Sequence, residues 1–173
     1  MKRSLGIAFG WMLLVLVCFQ ACGPKQSPKT IYVVRHAEKL LTGEDPMLSV
    51  AGSARAEKLN QLMADKGIQH AFSTNYLRCL ATLKPLADAQ GIDLELYDVK
   101  DHDALVEELR KREGNAIVVG HSNTIHHLVN YFLAEGQDSF QELTDLEYDF
   151  IFEVELKADG KSAAVRKVYR DFD

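Results

Sequence analysis

After residue 30 the chain alternates short apolar runs with longer stretches in which apolar residues recur every three or four positions. Ile31-Tyr32-Val33-Val34 is a β-rich run of the kind that forms a buried strand. Ser49 opens a helical pattern with Ala51, Ala54, Leu59, Leu62 and Met63 near one face, stopped by Gly67. His70 to Ser73 reads as a second strand. Asn75 then caps a helix containing Leu77, Leu80, Ala81 and Ala87 and ended by Gly91, with Pro85 predicting a kink or a split. Asp93 to Tyr97 is a third short strand, and Asp101 can cap a helix striped by Leu105, Val106 and Leu109. Ala116-Ile117-Val118-Val119 is the strongest buried-strand signal, followed by a helix with Ile125, Leu128, Val129, Phe132 and Leu133 on one side. Phe150–Leu156 and Ala163–Arg170 read as two strands joined by a turn at Asp159-Gly160. Strands alternating with amphipathic helices predict a three-layer α/β/α sandwich, its sheet mostly parallel with a late antiparallel element.

The first 22 residues follow a different rule. Lys2 and Arg3 precede an uncharged apolar run from Leu5 to Phe19, too short to span a bilayer comfortably, so a secretory signal over 1–21 is favoured over a transmembrane helix. Phe19-Gln20-Ala21-Cys22 resembles the lipobox of bacterial lipoproteins, which implies cleavage before Cys22, lipidation of that cysteine and a place on the extracytoplasmic side of a membrane, periplasmic or cell-surface. Residues 22–29 would then be the lipidated cysteine and a short polar tether, and 30–173 one folded domain. Removal of Lys2 and Arg3 leaves 18 basic against 25 acidic residues, a shift in net charge from -5 to -7. That balance offers no footprint for nucleic acid. Cys79 would be the one thiol left, so no internal disulfide is expected.

Candidate chemistry gathers where strands end. Val33-Val34 runs into Arg35-His36, Val118-Val119-Gly120 runs into His121-Ser122-Asn123, and Ser73-Thr74 precedes Arg78 by one helical turn. Sites in open parallel sheets form beyond the carboxyl ends of strands, so two arginines and two histidines can converge there on one anion. Arginine suits phosphate oxygens because its planar fork donates several hydrogen bonds at once. Each residue taken alone is more often an ordinary polar residue than a catalyst; the case rests on all four coming from three strand–helix junctions.

Four segments carry a family resemblance. Arg35-His36-Ala37-Glu38 resembles the Arg-His-Gly/Ala signature of the histidine phosphatase, or phosphoglycerate mutase-like, superfamily. Asp45-Pro46-Met47-Leu48-Ser49 with Gly52 resembles its Asp-Pro-x-Leu-Thr/Ser segment. Ser73 to Thr82 resembles the second-arginine motif, and Val118 to Thr124 the second-histidine motif. The likeness is to short bacterial members and covers Ile31 to about Leu133.

The resemblance implies a metal-independent phosphatase without a cofactor. His36 would attack phosphorus and form a phosphohistidine that water hydrolyses. Arg35, Arg78, His121 and Asn123 would hold the phosphoryl group of a small phosphorylated substrate or a phosphoprotein. The general acid has no recognisable motif; Glu38, and Asp98 or Asp101 by position, are its candidates. Phosphohistidine, a good leaving group, would need no strong acid. Lys39, Tyr76, Lys84 and the His126–His127 pair are candidates for the pocket mouth, with a surface or structural role the plainer reading of each, and Tyr148 for packing beneath the site. The alternatives are a weakly catalytic or non-catalytic phosphate-binding lipoprotein module and, less favoured on this short chain, a mutase.

Overall fold

The computed structural model describes residues 26–172; the signal segment and Cys22 lie outside the described residues. Six strands form one sheet: β1 (Lys29–Arg35), β2 (Ile68–Ser73), β3 (Leu94–Leu96), β4 (Asn115–Gly120), β5 (Phe150–Leu156) and β6 (Ser162–Val168). Their spatial order is β3-β2-β4-β1-β5-β6; the first four run parallel, β5 is antiparallel to β1, and β6 is antiparallel to β5. The late antiparallel element is therefore the β5–β6 hairpin, turned at Gly160, whose φ of 85° suits a residue without Cβ.

Among the described residues four helices cover the two faces: α1 (Val50–Met63), α2 (Leu77–Gln90), α3 (His102–Lys111) and α4 (Ile125–Asn130). Strand residues alternate between the faces, as their period of two requires. Tyr32 and Val34 of β1 join Leu59, Leu62, Leu83 and Leu86 of α1 and α2 in one core. Ile31 and Val33 join Leu105, Leu109, Leu128 and Phe132 in the other. The α/β/α sandwich expected from the sequence is the fold observed.

Four local expectations change. Ala51 and Ala54 are exposed, and Gly52 and Ala56 take the buried side of α1. Gly52 must be small there, since a Cβ would stand 2.0 Å from the Glu38 carbonyl oxygen. Asn75 does not cap α2. Tyr76 holds the cap position without a side-chain bond, and Asp45, from a distant loop, accepts the Leu77 N–H at 3.1 Å instead. Pro85 does not split α2, because the fully buried Leu83 and Leu86 on either side hold the helix onto the core. The last strand stops at Val168, and Tyr169–Phe172 closes the chain as a 3-10 turn. The caps at Ser49 and Asp101 and the left-handed Gly91 at the end of α2 agree with the sequence reading.

Among the described residues, no helix is long and apolar enough to cross a membrane.

Candidate active site

The site is built by strand register. In the parallel β1–β4 pair Arg35 lies beside Gly120, and the His36 N–H continues the ladder by donating to the Gly120 carbonyl at 2.9 Å. His36 and His121 therefore leave the sheet side by side, with ring centroids 5.5 Å apart. The helix after β1 packs on one face and the helix after β4 on the other, so a crevice opens between the two strand ends. Gly120 has to be glycine: a Cβ would lie 2.7 Å from the Tyr97 hydroxyl and 2.8 Å from Ile125.

A cavity of about 440 Å³ occupies the crevice, lined by Arg35, His36, Arg78, His121 and Asn123 among others. The four residues expected to meet do meet, and Asn123 joins them. Lys39 and Tyr76 also line the cavity, whereas Lys84 pairs with Asp88 elsewhere on α2.

Each side chain is held from behind. His36 is 4% exposed, and its Nδ1 lies 2.8 Å from the Ala37 carbonyl oxygen. A carbonyl only accepts, so Nδ1 carries the proton and Nε2 keeps a free lone pair. Burial, with Arg78, Arg35 and His121 nearby, lowers the His36 pKa to about 4, against the pull of the Ala37 carbonyl. His121 is likewise lowered to about 4 by burial and by the two arginines. Arg78 can only donate, and its Nη2 lies 3.4 Å from Nδ1 of His121; the proton therefore sits on Nε2, which donates to Thr74 Oγ1 at 3.1 Å. Both imidazoles are neutral at neutral pH.

Arg35 is 5% exposed and is seated on the segment between α4 and β5. Its Nη1 donates to the Thr144 carbonyl at 2.7 Å, and its guanidinium stacks 4.0 Å above the Tyr148 ring. Arg78 is tied to Asp45 at 3.3 Å and lies over Tyr76. The Nε atoms of both arginines are buried without a protein partner. Two neutral histidines and two oriented cations with spare donors make a site for a tetrahedral oxyanion. Thr82 links the halves, accepting from the Ala37 N–H at 2.9 Å and donating to the Arg78 carbonyl at 2.7 Å.

The carboxylates expected as acids lie outside this cavity. Glu38 is clamped by the Arg55 guanidinium at 2.7–3.0 Å, which holds its carboxyl below the usual range. Asp98 lines a different cavity beside α3 and accepts the Lys100 N–H in a turn, and Asp101 caps α3. Glu142 and Asp145 line the His36 cavity instead; no motif marks them, because the segment between α4 and β5 has no periodic pattern. His126 and His127 stack on each other at 3.9 Å, and His127 lines a separate cavity with His102.

The sequence model of the histidine phosphatase superfamily (branch 1) matches residues 31–107. That match includes Arg35, His36, Asp45 and Arg78 and stops before His121, which the β1–β4 register adds in space. The matched segment spans less than half of the chain, and the fold is similar to that of solved histidine phosphatases. Among solved structures, the chain resembles the protein histidine phosphatase SixA complexed with tungstate at a TM-score of 0.61 and 19% identity, over 83% of this chain and 99% of that one. It also resembles a mycobacterial glucosyl-3-phosphoglycerate phosphatase at 0.58 and 12%, over 82% and 98%. Phosphoglycerate mutase from Plasmodium falciparum follows at 0.55 and 15%, over 80% and 89%. At these identities the likeness is one of fold. No curated protein matches the chain in sequence.

Proposed function

We propose that the chain is a histidine phosphatase that takes a phosphoryl group onto Nε2 of His36 and passes it to water. The observation that carries this reading is the bond from Nδ1 of His36 to the Ala37 carbonyl, which fixes the tautomer and leaves Nε2 unprotonated beside two arginines. In the first step the Nε2 lone pair attacks phosphorus, the N–P bond forms and the P–O or P–N bond to the leaving group breaks. Arg35, Arg78, Asn123 and His121 hold the phosphoryl oxygens, and the entering anion raises the low pKa of His121 toward a protonated, donating form. In the second step water attacks the phosphohistidine, which frees Nε2 and releases phosphate.

Glu38 and Asp98 do not supply the leaving-group proton, since neither lines the cavity. The carboxylates that do line it, Glu142 and Asp145, are exposed rather than buried beside His36, which favours leaving groups that need little help, with phosphohistidine side chains foremost and activated phosphomonoesters next. The structural neighbour that carries tungstate, a tetrahedral oxyanion, is itself called a protein histidine phosphatase, which agrees with this preference. In the same reading Cys22 carries lipid and holds the domain on the extracytoplasmic side of a membrane.

The test uses the full chain in detergent micelles, with p-nitrophenyl phosphate as substrate and EDTA present. Turnover that disappears in His36→Ala, with an acid-labile phosphoenzyme trapped in the parent and absent from the variant, supports the reading. Tight phosphate binding without turnover, in folded protein, would replace it with a phosphate-binding module.

A further inference from the structure

One rim of the cavity is unusually apolar. Leu40 and Met47 are half-exposed on the loop that follows His36, Leu41 is 94% exposed at the same loop, and Val50 is 90% exposed at the start of α1. The loop is closed on itself by the Lys39–Leu48 bridge and by the Leu40 N–H donating to the Met47 carbonyl at 2.9 Å. Asp45 joins it to α2 through the Leu77 N–H, which brings the half-exposed Leu77 and Tyr76 alongside. Lys39 and Tyr76 belong to both features, since each flanks this rim and lines the His36 cavity. A small phosphorylated metabolite sitting in the cavity gains nothing from such a surface, and exposed apolar side chains gathered on one loop and the helix ends tied to it mark an interaction site.

Three observations select its occupant. Lys39 and Tyr76 stand in the cavity wall and next in the chain to Leu40 and Leu77, so whatever covers those two has its own surface within reach of His36. The cavity wall also carries Glu142 and Asp145, both exposed, which suit a partner with basic groups near its phosphoryl group. The third concerns the bilayer, the other apolar surface to which the sequence gives this chain an address. Gln26 donates to the Lys157 and Lys161 carbonyls at 2.9 and 3.0 Å, fixing the start of the domain at the far end of β1 from His36. Three residues separate Gln26 from Cys22, too few to turn the cavity rim toward a membrane that holds Cys22.

We propose that the rim formed by Leu40, Leu41, Met47, Val50 and Leu77 is a docking surface for a protein that carries the phosphorylated side chain and approaches from the side away from the tether. The substrate class is then a phosphoprotein. The proposal rests on the phosphatase reading above.

The experiment compares the full chain with Leu41→Asp/Val50→Asp on two substrates: p-nitrophenyl phosphate and the ³²P-labelled envelope protein fraction of the source cells. Turnover of the small ester should stay within twofold, and release of label from protein should fall at least tenfold. Leu41→Ser, which changes one almost fully exposed side chain, repeats the comparison if the double variant does not fold. Equal release by parent and variants overturns the docking surface, as does a parent that cleaves the small ester and no labelled protein. A parent that cleaves neither substrate refutes the phosphatase reading itself. A parent dimer that becomes a monomer in the variant assigns the patch to a second copy of the chain. Quenching of Leu41→Trp by brominated lipids in vesicles assigns it to the bilayer. Either of these last results overturns the proposal.

Discussion

Two groups of histidines in this domain differ in what surrounds them. His36 and His121 leave adjacent strand ends, each fixed through one ring nitrogen and flanked by Arg35 and Arg78. His126 and His127 follow each other on α4, with ring centroids 3.9 Å apart, and His102, the first residue of α3, lies 6.5 Å from His127. Burial is the leading cause of a lowered pKa for His36, His121, His102 and His126 alike. The second cavity, also about 440 Å³, is lined by His102, His127, Asn130 and Tyr131, without an arginine. Burial thus lowers the pKa of imidazoles in both places. A neutral imidazole becomes a nucleophile toward phosphorus only where fixed cations gather the phosphoryl oxygens around it.

The strongest way to break the comparison is to remove a cation. Arg78→Ala should lower kcat/KM for p-nitrophenyl phosphate by ~10²–10³, since it removes a preorganised donor. A loss under tenfold would reduce the first group to the standing of the second.

Acid sharpens it next. Protonation of His36 removes the nucleophile, so the acid limb of kcat/KM that belongs to it should fall near pH 4 rather than near 6.5. Stability follows the same groups. The unfolded chain binds protons at His36 and His121 near pH 6.5, while the native chain resists until about pH 4. The stability present above pH 6.5 is therefore lost as pH falls through that window and levels off below it. Urea midpoints at pH 7 and pH 4.5 should differ less in His36→Ala than in the parent.

Glu38→Gln carries a smaller effect. Exchange of the two-point ion pair with Arg55 for a neutral contact should cost about 1 kcal/mol of stability, because both groups are only a quarter exposed. Turnover should stay within tenfold of the parent; a loss of ~10²–10⁴ would reinstate Glu38 as the acid. The smallest effect belongs to the second group: His127→Ala should leave turnover of the same ester within about twofold.

Much of the fold was legible because its strands are short apolar runs with distinct ends. Val33-Val34 and Val118-Val119 announce both strands and the points where Arg35-His36 and His121 must emerge. Residues whose roles depend on distant partners were not legible. Asp45 replaces Asn75 at the start of α2 from 32 residues away, which no local capping rule reports. Ala51 and Ala54 fit a helical stripe as well as Gly52 and Ala56 do, and the approach of α1 to the Glu38 backbone decides between them. Glu142 and Asp145 reach the cavity because the segment between α4 and β5 folds over Arg35 through the Thr144 carbonyl and the Tyr148 ring. Such contacts leave no period in the sequence. Glu38 misled for the converse reason: it is two residues from His36, yet its carboxylate is committed to Arg55.

The pairing of β1 with β4 also governs how the molecule comes into being. Thr30 and Asn115, hydrogen-bonded neighbours at the start of the pair, are 85 residues apart, and the other flank of β1 waits for β5 still later in the chain. During synthesis the first strand is thus made early and stays without either neighbour until most of the polypeptide exists. Non-local pairing of this kind slows folding and leaves an apolar strand open to wrong partners in the interval. A chain shortened before residue 115 keeps Arg35, His36 and Arg78 and still has nowhere to assemble them, since His121, the Thr144 carbonyl and the Tyr148 ring that hold the site together all come later.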